Sequence, residues 1–161
     1  MVFINYNREK AVAYATEWAL KRNSRYYNFD SIGGDCTNFV SQCLFSGIGV
    51  MNYSNINGWY YSSSSQRAPA WTSVEYFYSF LITNQGVGPF ASLILPTAIE
   101  IGDIIQLGNG NFDFYHTLIV TNIVNERIFV SAHTFDAFNR PLESYSYNTI
   151  RFLHIEGGKN Y

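Results

Sequence analysis

The chain has 161 residues, a net charge of −2, 47% hydrophobic residues and 14% charged residues. This balance predicts a globular chain, 1–161, organised as one domain with a substantial core, and we expect a monomer. No basic patch is long enough to follow a phosphate backbone, and no apolar run reaches the ~18 residues of a membrane span, so neither nucleic acid nor a membrane span is predicted.

Aromatic residues make up 18% of the chain, which is more than a core needs and suits a groove for sugars or peptides. The first residues lack the basic and apolar segments of a signal peptide. The sequence therefore predicts either a protein that stays where it is made or a domain excised from a longer exported chain.

Apolar residues at helical spacing predict three helices, at 7–23, 36–45 and 73–83. Asn7 is the expected cap of the first helix, and Gly47 marks the expected end of the second. The segment 47–69 is rich in glycine, asparagine and serine and is predicted to be irregular surface structure.

From residue 100 onwards, short apolar runs alternate with turn residues. Strands are predicted at 104–107, 116–123, 128–133 and 149–155, with a loop at 134–143. Because the helices come first and an antiparallel sheet follows, the sequence predicts an α+β fold.

The most informative stretch is the Gly-Gly-Asp-Cys run that ends at Cys36, the expected first residue of the second helix. A cysteine there faces the positive end of the helix dipole, which favours the nucleophilic thiolate. Asp35 is interpreted as a structural cap whose charge opposes that thiolate. Cys43 lies about 10.5 Å further along the helix axis, too far for a disulfide, and is expected to be a core residue.

Two of the three histidines are predicted to lie side by side. If Asn125 and Glu126 form a two-residue hairpin turn, His116 and His133 share one face of the hairpin as diagonal neighbours. A register shift of one residue would separate them onto opposite faces. The third histidine, His154, is expected to have a core or surface role.

This placement predicts a relay in which Cys36 attacks a carbonyl and His116 accepts the thiol proton. His133 would orient His116, with Asp136 as the alternative orienting residue. The backbone N–H of Cys36 is the expected oxyanion donor.

Residues 33–42, Gly-Gly-Asp-Cys-Thr-Asn-Phe-Val-Ser-Gln, resemble the signature of the bacterial putative amidase domain family. Further matching pieces follow at 68–73, 102–106, 116–120 and 132–136, and the helix at 6–15 fits as well. That family belongs to the papain-like group that includes the NlpC-type and CHAP cell-wall hydrolases. The resemblance implies N-terminal helices whose cysteine-bearing member packs on a C-terminal antiparallel sheet bearing the histidine.

The resemblance also implies an activity, that of a cysteine amidase or peptidase without cofactor or metal. Its substrate would be a peptide or peptidoglycan fragment, which points to the cell wall outside the cytoplasm. In NlpC-type relatives the third catalytic residue is often a histidine on the neighbouring strand, a place that His133 matches. Asp35, Trp59 and Trp71 are the predicted substrate-binding residues.

Three other interpretations stay open at this point. Cys36, His116 and His133 would also suit a zinc ion, because thiolate and imidazole are both zinc ligands. The domain would alternatively be a non-catalytic module that binds cell-wall peptides through its aromatic groove. Finally, the same thioester chemistry serves acyl transfer to an acceptor that the sequence does not reveal.

Overall fold

The computed structural model describes all residues, 1–161, and confirms the α+β class, with four helices and a large antiparallel sheet. The helices are α1 (Arg8–Trp18), α2 (Cys36–Ile48), α3 (Pro69–Thr72) and α4 (Val74–Thr83). The strands are β1 (Val2–Ile4), β2 (Tyr61–Ser63), β3 (Gln66–Arg67), β4 (Gly88–Ile94), β5 (Ile104–Gly108), β6 (Phe114–Val124), β7 (Arg127–Ala132), β8 (Ala137–Pro141) and β9 (Thr149–Asn160).

Seven strands form one sheet in the order β1-β9-β5-β6-β7-β8, with β4 also paired to β9. Every pairing in it is antiparallel. Strands β2 and β3 form a separate two-stranded ribbon. None of the four helices combines the length and hydrophobicity that a bilayer crossing needs.

The helix starts follow the sequence prediction closely. The Asn7 side chain accepts a hydrogen bond from the Lys10 amide at 2.9 Å, so the predicted cap of α1 is confirmed. Helix α2 begins at Cys36 as predicted but continues through Gly47 to Ile48, where Gly49 ends it in the left-handed conformation at φ 79°. Helix α1 ends at Trp18, earlier than the predicted residue 23.

Five elements of two to five residues were not predicted, because such short runs carry little periodicity. These are β1, β2, β3, α3 and β8, and the last of them lies inside the predicted loop 134–143.

Two apolar cores lie on opposite faces of the sheet. The larger one fills the space between the helices and the sheet and includes Ile119 of β6. The smaller one covers the far face and includes Leu118 and Val120 of the same strand. Alternate residues of β6 therefore point to different cores, as the pleat requires.

The β6–β7 hairpin has the predicted turn but not the predicted register along its whole length. Val124 lies opposite Arg127, and Asn125 and Glu126 have φ of 50° and 65°, the positive values of a tight two-residue turn. The register then shifts between Val120 and Asn122, where one extra residue bulges out of β6. The one-residue shift moves the far end of β7 to the other face relative to β6.

Candidate active site

Cys36 is the first residue of α2, and its side chain is 7% exposed. The turn before it needs two glycines, because Gly33 and Gly34 have φ of 83° and 99°. The thiol lines a cavity of about 470 Å³, called the Cys36 cavity below. Its other lining residues are Phe29, Ile32, Gly33, Arg67, Thr72, Ser73, Val74, Glu75, Phe114 and Tyr115.

The electrostatics of the thiol differ from the sequence prediction. Burial raises the pKa of Cys36, and the neighbouring Asp35 charge raises it further, against hydrogen bonds from the Thr117 and Thr37 backbone that lower it. The net pKa shift is upward, which is opposite to the direction expected from a helix start. A nucleophilic Cys36 therefore needs a group that accepts its proton.

Asp35 does not cap α2 with its side chain. Its carboxylate is 1% exposed and instead accepts hydrogen bonds from the Phe29 amide at 2.8 Å and from Asn38 Nδ2 at 2.9 Å. The structural interpretation of Asp35 is right, although the cap geometry is not. Its role as a substrate-binding residue stays a prediction, and the carboxylate is buried in this structure.

His133 is the third partner of that carboxylate. Its Nδ1 lies 2.6 Å from Asp35 Oδ2, and its Nε2 lies 2.7 Å from the backbone carbonyl of Trp18. The ring stacks on Phe39 with centroids 4.0 Å apart. Since a carbonyl only accepts, Nε2 must carry a proton, and both ring nitrogens are occupied. His133 thus ties the end of α1 to the start of α2.

His116 lies on the opposite face of β6. It stands opposite Leu107, a member of the far core, and its ring centroid is 6.1 Å from that of Tyr145. Burial and the Arg140 charge lower the pKa of His116 to about 4, so the ring is neutral at pH 7. The next residue, Thr117, faces α2 and its hydroxyl lies 2.9 Å from that of Thr37.

The prediction that His116 and His133 share one face is therefore wrong, because the bulge near residue 121 shifts the register by one residue. The polar side-chain contact of the Cys36 sulfur is the Thr37 hydroxyl at 3.8 Å, not a histidine. In this structure the predicted relay is not assembled, and the catalytic role of His116 stays a prediction.

Asp136, the alternative orienting residue, contacts neither histidine. Arg22 donates to both of its oxygens, at 2.8 and 2.9 Å, and also to Asp30 at 2.6 Å. Arg22 lies 3.5 Å from Asp35 as well. Asp136 therefore belongs to an ion-pair network around Arg22 at the edge of the Asp35–His133 pair.

Trp59 and Trp71 are both fully buried in the larger core, so neither presents a surface to a ligand in this structure, and their substrate-binding role stays a prediction. The indole N–H of Trp71 donates to Asn38 Oδ1, and that of Trp59 donates to the Ser41 hydroxyl, both at 3.0 Å. The two tryptophans fix polar side chains of α2 rather than a groove wall.

The zinc interpretation is also wrong, because Cys36, His116 and His133 do not converge on one point. The side chains that do converge are Glu100, Asp103 and His154. The guanidinium of Arg8 already supplies positive charge there, at 2.7 Å from Asp103 and 3.9 Å from Glu100. Asp103 is fully buried, and no local sequence pattern indicates its ion pair with Arg8.

Comparison with known proteins agrees with the sequence signature. Residues 5–155 match the model of the family described as "Putative amidase domain". Among curated Bacillus subtilis (strain 168) proteins, the chain is 29% identical to Uncharacterized protein YjcM over 97% of its length. It is 32% identical to Uncharacterized protein YhbB over 82% of its length.

The chain spans 36% of the length of the first relative and 42% of the second, so it corresponds to less than half of either. No solved structure matches it. Because the family model covers nearly the whole chain, including the Cys36 helix and the sheet, this protein belongs to that amidase-domain family.

Proposed function

We propose that the domain hydrolyses an amide bond with Cys36 as the nucleophile. The observation that carries the proposal is the position of the thiol, on the first residue of α2 and at the wall of the Cys36 cavity, in a chain of an amidase family. As the first residue of the helix, Cys36 also has a backbone N–H without a partner in the helix, which suits an oxyanion donor.

The reaction would proceed in two steps. The sulfur attacks the amide carbon, the thiol proton is transferred through a base to the leaving amine, and a thioester forms. Water then attacks the thioester, which releases a carboxylic acid and restores the thiol. No metal is needed for either step.

His116 is our candidate for the base, because the matching motif at 116–120 carries it and its ring is neutral at pH 7. Burial holds its pKa near 4 in the resting structure, so the ring becomes an effective base only when it leaves that buried position. Its ring is on the far face of β6 in the resting structure, so this role requires the ring to reach the cavity side. A second bulge in the β5–β6 pairing, directly before His116, is the kind of irregularity that re-aims a side chain.

His133 has a different role in this proposal from the one in the sequence prediction. It would act as a positioning residue, because its bond to Asp35 fixes the backbone immediately before Cys36. The papain-like relationship, the peptidoglycan peptide as substrate and the location outside the cytoplasm rest on the resemblance of residues 33–42 and the later motifs.

The test is incubation of the purified protein with peptidoglycan and synthetic stem peptides, followed by mass spectrometry of new termini. Cleavage that survives a chelator, is blocked by iodoacetamide and is absent in Cys36→Ala supports the proposal. Cleavage that persists in Cys36→Ala, or that a chelator removes, contradicts it.

Two observations favour a second candidate, a non-catalytic peptide-binding module. No histidine contacts the Cys36 sulfur, and burial raises the pKa of the thiol. For such a module, Cys36→Ala would bind peptides as well as the original protein does, and neither would release new termini.

A further inference from the structure

The Cys36 cavity carries two ionic side chains on its wall, Arg67 and Glu75. Their surroundings differ. Glu75 is paired, because Arg151 Nη2 lies 3.0 Å from its Oε1. Arg151 is itself held between the rings of Tyr78 and Phe114, at 3.5 and 3.8 Å from their centroids. The negative charge of this wall is therefore already compensated by the protein.

Arg67 has no carboxylate partner within salt-bridge distance. Its guanidinium is nevertheless held in place by uncharged groups. Nε donates to the Thr72 hydroxyl at 3.2 Å, Nη1 donates to the Ser64 carbonyl, and the group lies 4.4 Å above the ring of Phe29. No protein acceptor engages Nη2. Arg67 is thus an oriented cation whose charge remains unpaired.

This asymmetry identifies the chemistry that the cavity prefers. A fixed guanidinium with free N–H donors binds a carboxylate through charge-assisted hydrogen bonds, and little side-chain entropy is lost when its geometry is already set. A cationic group of a ligand would be repelled by Arg67. Glu75 does not offset this repulsion, because it is already paired with Arg151.

We propose that Arg67 is a specificity residue, and that the substrate of the Cys36 cavity bears a free carboxylate close to the amide that is cleaved. This inference rests on the proposed function for the cleavage itself. It adds the substrate class, namely amides flanked by an acidic group rather than neutral or cationic ones.

The test uses a matched pair of thiol reagents, N-iodoacetylglycine and N-iodoacetylglycinamide, which differ in one carboxylate. Alkylation of Cys36 is followed by peptide mass spectrometry, and each rate is normalised to that of β-mercaptoethanol with the same reagent. We expect the normalised rate to be higher for the carboxylate reagent, and Arg67→Gln to reduce that preference about tenfold, as expected for one lost charge-assisted hydrogen bond.

Two variants control this experiment. Arg25→Gln removes the same charge from an exposed arginine that does not line the Cys36 cavity, and we expect it to keep the full preference. Arg67→Lys keeps the charge without the planar fork, and we expect it to keep part of the preference. An equal loss in Arg25→Gln would show a general charge effect and would overturn the proposal.

Binding to the Cys36→Ala protein provides a readout that needs no reactive thiol. Chemical-shift titrations with N-acetylglycine and N-acetylglycinamide should give tighter binding of the carboxylate, and Arg67→Gln should abolish that difference. Equal affinities for the two ligands would overturn the inference even if Cys36 is catalytic. If neither reagent alkylates Cys36 but the carboxylate still binds through Arg67, the proposed function fails and the carboxylate site stands.

Discussion

On the side of the sheet that faces the helices, buried polar side chains such as Asp35, Asn38 and His133 have defined hydrogen-bond partners, whereas the far side is largely apolar and carries His116. His133, near the helices, has both ring nitrogens bonded, to Asp35 and to the Trp18 carbonyl. His116, on the far side, lies beside Tyr145, whose buried hydroxyl also lacks a partner.

This contrast indicates that His133 has a structural role, whereas His116 is available for proton transfer. A histidine whose two ring nitrogens are both engaged by protein groups has no nitrogen free to accept a proton from a substrate or a thiol. A neutral histidine without such bonds can act as a base. The more deeply buried histidine is therefore the better candidate for holding the fold, and the less satisfied one is the better candidate for proton transfer.

The largest expected effect concerns the two cysteines on α2. We expect Cys36→Ala to lower the rate of amide cleavage by about a thousandfold or more, because the attacking atom is gone. Its melting temperature should change little. Cys43→Ala should instead keep the activity and lose about 1 kcal/mol of stability, because Cys43 is fully buried in the core. Turnover assays and thermal melts of both variants measure this difference, and equal activity of the two would contradict it.

The next effect probes the helix side of the sheet. We expect His133→Ala to lower the free energy of unfolding by about 3 kcal/mol or more, because it leaves the buried Asp35 carboxylate without its closest partner. Chemical denaturation with urea measures the loss.

His133→Asn is the matched control, because the Asn amide keeps a donor near the position of Nδ1 but loses the bond to Trp18 and the stacking on Phe39. We expect it to recover about half of the lost stability. If both variants are as stable as the original protein, the Asp35–His133 pair does not hold α2 in place.

The contrast also shows where the sequence was a sufficient guide. The start of α2, the Asn7 cap and the Asn125–Glu126 turn each depend on a few neighbouring residues with strong local preferences, and all three were predicted. Helix and strand classes followed from periodicity for the longer segments. These features are local, so one sequence carries enough information for them.

The site depends on non-local features that local patterns do not encode. The bulge near Thr121 adds one residue to β6 without any glycine or proline to mark it, and this single residue sends His116 and His133 to opposite faces. Similarly, Trp59 lies in a segment that reads as surface loop, yet tertiary packing buries it completely. The ion pair between Arg8 and Asp103 joins residues 95 positions apart, so no short pattern indicates it.

The buried state of His116 on the far side of the sheet is tested by the pH dependence of stability. The pKa of His116 is lowered from 6.5 to about 4, so the unfolded chain binds a proton over a range where the folded protein does not. The contribution of His116 to the free energy of unfolding is fully present above pH 6.5. It is lost as the pH falls towards 4, which lowers the free energy of unfolding by up to about 3 kcal/mol. We expect His116→Gln to flatten that part of the stability profile. Urea denaturation between pH 7 and 4 measures it, and an unchanged slope would contradict the buried, neutral state of the ring.

The smallest expected effect on stability concerns Asp136, which lies at the partly exposed edge of the ion-pair network around Arg22. Asp136 pairs with Arg22, but Arg22 keeps Asp30 at 2.6 Å when that pair is removed, and solvent screens both contacts. We therefore expect Asp136→Asn to cost less than about 1 kcal/mol in unfolding free energy and to leave amide cleavage unchanged. Measuring activity and stability of Asp136→Asn and His133→Ala in parallel shows which of the two residues orients the site. A large loss of activity in Asp136→Asn with intact stability would make Asp136 the orienting residue of the site and His133 a purely structural one.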